Sequence, residues 1–202
     1  MKKLFFTFIL VFCLTAGFAE TGYDGTEWGT ARDSLKFSDG AQTWKEQNLE
    51  VVAFPSVILG RSSIKTYLFN NQKLDGVAYP FIKKDLPELL KNFDAKEKIY
   101  EIPINIDYEK EMEYAIKNTE LPAFAKDEEY GLYAFKLIIA QAMSWELCKM
   151  AESEGYKKIE AENEAKEKFY IYDYNSNTRV YIFTGGMQGL GFVVYVPHSK
   201  DY

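Results

Sequence analysis

Residues 62–82 read S-S-I-K-T-Y-L-F-N-N-Q-K-L-D-G-V-A-Y-P-F-I, and the fold is decided there. Side chains of a strand alternate between two faces. Tyr67 and Phe69 therefore share one face of a first arm, with Lys65 at its edge, while Ile64 and Leu68 share the other. In a second arm Val77, Tyr79 and Phe81 have one parity and Leu74 the opposite one. Gly76 stands where the parity switches, which predicts a bulge that re-aims the strand. Between the arms, Asn70-Asn71-Gln72-Lys73 offers a tight turn whose asparagines tolerate positive φ. Pro80 has no N–H for a ladder, so the second arm should present an edge where it passes residue 80. With apolar side chains on both faces, this hairpin belongs in the middle of a covered sheet.

Upstream, Gln42 to Leu59 reads as an extended segment divided at Pro55-Ser56, which makes three consecutive strands with the hairpin. Further upstream, Thr30 and Asp33 have the spacing of a capping box and predict a short helix from Ala31 to about Phe37. Ala31 and Leu35 would share a face there, with Trp28 folded back beside them. Trp28 reads as a core plug, with an aromatic binding anchor as the rival reading.

Downstream, Asp85 is a candidate cap for a short helix striped by Leu86, Leu89, Leu90 and Phe93. Ile99 to Ile106 alternates as a strand weakened by Pro103, and Asp107 then caps a helix over Tyr108–Asn118. Glu128 to Gly155 holds one long helix. Its part from Leu132 to Met143 is apolar nearly all round, which predicts burial between layers. Gly155 is its natural stop, and Glu160 to Lys168 is a charged linker or exposed helix. Three antiparallel strands close the chain, around Phe169–Tyr172, Arg179–Phe183 and Phe192–Val196. Residues 20–202 thus form one α+β domain: antiparallel sheet of meander type packed by several helices, one of them long and buried. Each half ends in a Tyr/Phe-rich meander, a hint of duplication without a fixed period.

Trp28-Gly29-Thr30 at a helix start, Tyr67-x-Phe69, Asn70-Asn71, and Leu74-x-x-Val77-x-Tyr79-x-Phe81 resemble small exported proteins of spirochaete type. The resemblance covers about a third of the chain. It implies an antiparallel sheet packed by helices, and it implies no active site.

The N-terminus predicts export. Lys2 and Lys3 precede an uncharged run from Leu4 to Phe18 that ends in Ala16, Gly17 and Ala19. That is the layout of a signal peptide over residues 1–19, cleaved after Ala19. An uncleaved anchor is the rival, but the run falls short of the ~20 residues of a span. A lipidation site at Cys13 would want a small residue before it, where Phe12 is bulky. The location expected is periplasmic or secreted. Cleavage takes two lysines and leaves 22 basic against 30 acidic residues, a net charge of about −8. Such a chain is no nucleic-acid binder, suits no anionic membrane surface, and keeps no membrane span after cleavage. Cys148 alone cannot form an internal disulfide.

The residue types that carry chemistry are few. His198 is the one histidine, and its place in the tail predicts a mobile residue rather than part of a Ser-His-Asp or Cys-His site. Cys148, among Trp145, Leu147 and Met150, reads as a buried apolar thiol. Asp173-x-Asn175-x-Asn177 opens like a calcium loop, but Thr178 and Thr184 stand where a glycine and an acid are required, so a polar hairpin turn is expected. Gly185 to Gly191 runs into a strand and lacks the lysine of a phosphate loop. Glu109 and Glu113 share a helix face with Lys110 and Lys117 nearby, as on a solvated amphipathic helix. No catalytic, cofactor-binding or metal residue is assigned. The function expected is a non-catalytic binding module of the cell envelope, meeting another envelope protein or a ligand through a sheet edge or an aromatic surface. A carboxylate-dependent hydrolase or carbohydrate-active enzyme, and a structural or assembly factor, are the alternatives.

Overall fold

The computed structural model describes residues 22–104, 108–126, 129–154, 167–185, 187 and 189–198. The expected signal peptide, Asp107, Gly155 and most of the charged run 160–168 lie outside the described residues. The hairpin at 62–82 forms as expected. Its arms are β5 (Arg61–Asn70) and β6 (Lys73–Ile82), joined by Asn71 and Gln72 at φ of 49° and 63°. The register jumps from Leu68↔Gly76 to Phe69↔Leu74, so Asp75 is the extra residue of a bulge and Gly76 sits at it.

The remaining strands are β1 (Gly22–Tyr23), β2 (Thr26–Glu27), β3 (Gln42–Glu46), β4 (Leu49–Ile58), β7 (Glu97–Ile104), β8 (Glu167–Asn175), β9 (Thr178–Phe183) and β10 (Leu190–Pro197). β1 and β2 pair as a small ribbon. The others form one eight-stranded sheet in the order β3-β4-β5-β6-β10-β9-β8-β7, every neighbour antiparallel. It consists of two four-stranded meanders joined through their last strands, β6 and β10. The two aromatic meanders read from the sequence are therefore one sheet.

The described helices are α1 (Leu86–Lys91), α2 (Tyr108–Asn118), α3 (Ala123–Lys126) and the 26-residue α4 (Glu129–Glu154), of which α2, α3 and α4 cover one face. Phe135, Ile138, Ala142 and Trp145 of α4 pack on Val51, Leu68, Ala78, Tyr181, Phe183, Phe192 and Val194. Met112 of α2 and Ala125 of α3 join the same core. The long helix is apolar nearly all round because it has the sheet beneath it and two helices beside it. Its buried polar groups turn inward: Ser144 Oγ donates to Ala140 O at 2.8 Å and Gln141 Nε2 to Leu137 O at 3.2 Å. Among the described residues no helix is long and apolar enough to cross a membrane.

On the opposite face Val52, Phe69, Val77, Tyr79, Tyr195, Ile182, Tyr170 and Tyr172 form a second core. It is capped by Trp28, Leu35 and Phe37 from the N-terminal segment and by Leu86, Leu89, Leu90 and Phe93 around α1. Trp28 is thus a core plug, with Nε1 donating to Thr178 Oγ1 at 2.9 Å. Burial pushes the phenols of Tyr79 and Tyr195 upward, and their oxygens lie 3.4 Å apart. Among the described aromatic residues of this face, Phe69, Tyr79, Tyr170, Tyr172 and Tyr195 are buried, and Tyr23, Trp28, Phe37, Tyr67 and Tyr174 are half-buried.

Three local expectations are corrected. The helix over 31–37 is only a 3-10 turn at Arg32–Ser34. The main chain there is taken by β6 and the turn before it instead: Gly29 N donates to Leu74 O, Leu74 N to Thr30 O and Arg32 N to Gln72 O. Thr30 Oγ1 bonds Glu27 O at 2.7 Å rather than capping. Pro55-Ser56 does not divide β4, and the break falls at Gln47-Asn48, where Gln47 has φ 51°. By the alternation of an antiparallel ladder, the main-chain groups of residue 55 face away from β5, past the end of β3, so its missing N–H costs no ladder bond. Asp85 makes no cap. Its Oδ2 faces Arg61 Nε at 3.3 Å.

Candidate functional site

The β5–β6 ladder stops at Thr66↔Ala78, although both strands run further. The cause can be read from parity. The two-residue turn makes Asn70↔Lys73 a hydrogen-bonded pair, and past the bulge Thr66↔Ala78 is another. The next bonded pair would be Ile64 with Pro80, and proline has no N–H to give. Beyond that point β5 stays paired with β4 as far as Ile58↔Arg61, and β6 stays paired with β10 as far as Leu190↔Ile82. The sheet is therefore split internally. The edge that Pro80 predicts exists, inside the sheet rather than at its rim.

A cavity of about 510 Å³ lies at the split. Ser62, Ser63 and Ile64 line one side and Pro80, Phe81 and Ile82 the other. Ala134, Leu137 and Ile138 of α4 close it from the helix side, while Phe54 and Ile58 reach it from the opposite face. Tyr130 and the Arg61–Asp85 pair also line it. Tyr130 is 72 % exposed, and Val57, paired with Ser62 across the β4–β5 ladder, is 70 % exposed. At the closed end of the fork, Thr66 Oγ1 donates to Gln141 Oε1 at 3.0 Å and also lies 3.3 Å from Ala78 O, with Thr66 and Gln141 fully buried.

The same parity fixes which main-chain groups face the opening. Those of Ser62 and Ile64 point from β5 towards β6, and those of Pro80 and Ile82 point back. The β5–β6 register ends before it reaches any of these four residues. Side chains make the walls mostly apolar, and the two edges are polar. A main-chain group buried without a partner costs about 1–3 kcal/mol, so a purely hydrocarbon occupant would leave these edges unsatisfied.

The residues singled out by the sequence lie elsewhere. His198 is held, contrary to the mobile tail expected: its main-chain N–H donates to Asn177 O, and its ring enters a polar cluster. Arg179, 8 % exposed, donates from Nη1 to Glu152 Oε1 at 2.9 Å and from Nε to Asp173 Oδ1 at 3.0 Å. Its Nη2 lies 3.0 Å from His198 Nε2. A guanidinium only donates, so Nε2 accepts and the ring proton sits on Nδ1, 3.3 Å from Glu152 Oε2. Tyr181 Oη also donates to Glu152. The histidine therefore faces a guanidinium and a carboxylate, with no serine or cysteine among its hydrogen-bond partners in the described residues, and the cluster ties α4 to β8, β9 and the segment after β10.

Cys148 is fully buried, with Sγ 3.1 Å from Ser144 O, and burial together with Glu152 pushes its thiol well above the ordinary range. The Asp173–Asn177 stretch forms the β8–β9 hairpin turn, with Asn175 Oδ1 accepting from Asn177 N at 2.9 Å and Asp173 committed to Arg179. The glycine loop leads into β10 as expected, although Gly186 and Gln188 lie outside the described residues. The side chain of Glu109 is also outside them, and Glu113 is exposed.

Sequence reasoning missed Glu50. It is 2 % exposed and gathers Lys45 Nζ at 2.8 Å, Arg32 Nε at 3.0 Å and Gln72 Nε2 at 3.2 Å. Burial raises its carboxyl, but the hydrogen bonds from Lys45, Gln72 and Arg32 outweigh burial and hold it below the usual range. Its three partners come from separate parts of the chain, so only the residue type, an acid inside a strand of apolar neighbours, could have drawn notice.

Set against family models, curated proteins and solved structures, the chain matches none of them.

Proposed function

We propose that the protein is an exported, non-catalytic binding module whose ligand occupies the cleft between β5 and β6. The observation that carries this reading is the internal split: an apolar space bounded by two unpaired strand edges, where a continuous sheet would have none. Its volume of 510 Å³ falls in the roughly 300–1,000 Å³ typical of small-molecule sites. The outer edges are poorer candidates. β3 has only five residues and carries Lys45 and Glu46, and β7 carries Pro103, features that discourage pairing.

A carboxylate enzyme would need two acids facing one substrate, and among the described residues the cleft is lined by one acid, Asp85, already paired with Arg61. Glu146, whose carboxyl is pushed up by partial desolvation and by Glu46, stands on an exposed face of α4 outside the cleft. Export is part of the same proposal and rests on residues 1–19, as does kinship with exported proteins of spirochaete type on the motifs from Trp28 to Phe81.

Titration of the purified domain with the apolar fluorophore anilinonaphthalene sulfonate tests the cleft. Saturable binding near one site per chain is expected, lost in Ala134→Trp, which places an indole in the cavity. Binding that is absent, or indifferent to this substitution, would refute the reading. Mass measurement of the exported protein should place its N-terminus at Glu20.

A further inference from the structure

Resting on that reading, we propose that the occupant of the cleft is a segment of polypeptide in extended conformation, inserted as an additional strand between β5 and β6. Two features of the site select it. First, the edges present main-chain groups in the alternation of a β-ladder: N–H and C=O of Ser62 and Ile64 on one side, C=O of Pro80 and both groups of Ile82 on the other. A peptide is the ligand whose own donors and acceptors recur at that spacing on both of its edges. An acyl chain offers none.

Second, the walls are apolar on both faces of the sheet. Side chains of an inserted strand would point alternately towards Ala134, Leu137 and Ile138 and towards Phe54, Ile58 and Phe81. The segment accepted is therefore a run of consecutive small to mid-sized apolar residues, not an amphipathic strand. At about 3.3 Å per residue, the stretch facing residues 62–64 and 80–82 takes about three to four of them. Pro80 keeps the site open in the meantime, because β5 cannot zip onto an edge that lacks the N–H its Ile64 carbonyl needs.

The test compares two fluorescently labelled peptides by anisotropy: acetyl-Lys-Val-Ala-Val-Leu-Lys-amide, and the same sequence N-methylated at alternate amides. They share side chains and differ in main-chain donors. Saturable binding of the first is expected, with the N-methylated analogue at least tenfold weaker, and Ala134→Trp should weaken the first at least tenfold. Ser62→Trp, at an exposed position on the cavity wall, replaces Ala134→Trp if circular dichroism shows the latter misfolded. Equal binding of both peptides overturns strand insertion, and so does peptide binding untouched by the tryptophan. If the apolar fluorophore occupies the cleft while neither peptide binds, this inference is wrong and the binding module stands. If nothing occupies the cleft, both are wrong.

Discussion

Replacing Gly76 with alanine should test how the long helix is seated on the sheet. A Cβ built at Gly76 would lie 2.4 Å from Trp145 Cδ1 and 2.7 Å from Nε1, with Leu68 Cδ1 at 3.4 Å. Carbon atoms in contact rest about 3.5–4.0 Å apart, so the indole must retreat by about 1 Å. It is poorly placed to do so, being 7 % exposed and tied by Nε1 to Asp75 O at 2.9 Å. Overpacking of this kind costs about 1–3 kcal/mol, and the strained hydrogen bond adds about 0.5–1.5 kcal/mol. Alanine recovers about 0.4–1 kcal/mol by restricting the unfolded chain. The net expectation is a destabilisation of about 2–3 kcal/mol. With a urea m-value of about 2–3 kcal/mol/M, the midpoint of a urea melt should fall by about 1 M. Trp145→Phe made in both backgrounds should show a coupling of at least about 0.5 kcal/mol, as expected for residues in contact. A midpoint unmoved by Gly76→Ala, or strict additivity with Trp145→Phe, would refute the packing of α4 against the bulge.

Other substitutions probe single contacts. Thr66→Val deletes the hydroxyl at the closed end of the cleft and strands Gln141 Oε1, at a cost of about 1–3 kcal/mol, and adding Gln141→Leu should restore much of it in chemical denaturation. Glu50 has a depressed carboxyl in the folded state, so the stability it supplies is present above the ordinary carboxylate value of about 4.5 and is lost as pH falls through its lower folded value. Glu50→Gln should therefore flatten the acid limb of stability against pH while lowering stability near neutrality, and an unchanged acid limb would contradict this. Cys148, buried and with its thiol pushed up, should resist iodoacetamide in the folded protein and react only as urea unfolds it. Labelling at the native rate of an exposed thiol would contradict its burial.

Much of the architecture was legible because it depends on neighbours along the chain. Alternation through Tyr67 and Phe69, positive-φ tolerance at Asn71, the parity switch at Gly76 and the apolar run of α4 are local patterns, and each specified its element. Where a local pattern failed, a distant strand had claimed the backbone. The capping-box spacing at Thr30 and Asp33 gave only a short turn because residues 72–74 took its donors and acceptors. Pro55 broke nothing because its position in the register left no bond to lose.

The cleft stands between these cases. Pro80 announced a missing donor, and the hairpin told which strand it would fail. Only the fold shows that β10 occupies the other side of β6, and that side chains from α4 and β4 close the opening into a cavity. The Glu50 and Arg179 clusters were illegible for the same reason. Each gathers partners from three or more elements, and the free energy that selects such a gathering is set by burial and distance, which the order of residues does not contain. What the sequence by itself determined is where strands, turns and the long helix lie, because those follow from short-range sterics and periodicity. Which edges meet, and which is left open, was decided by packing.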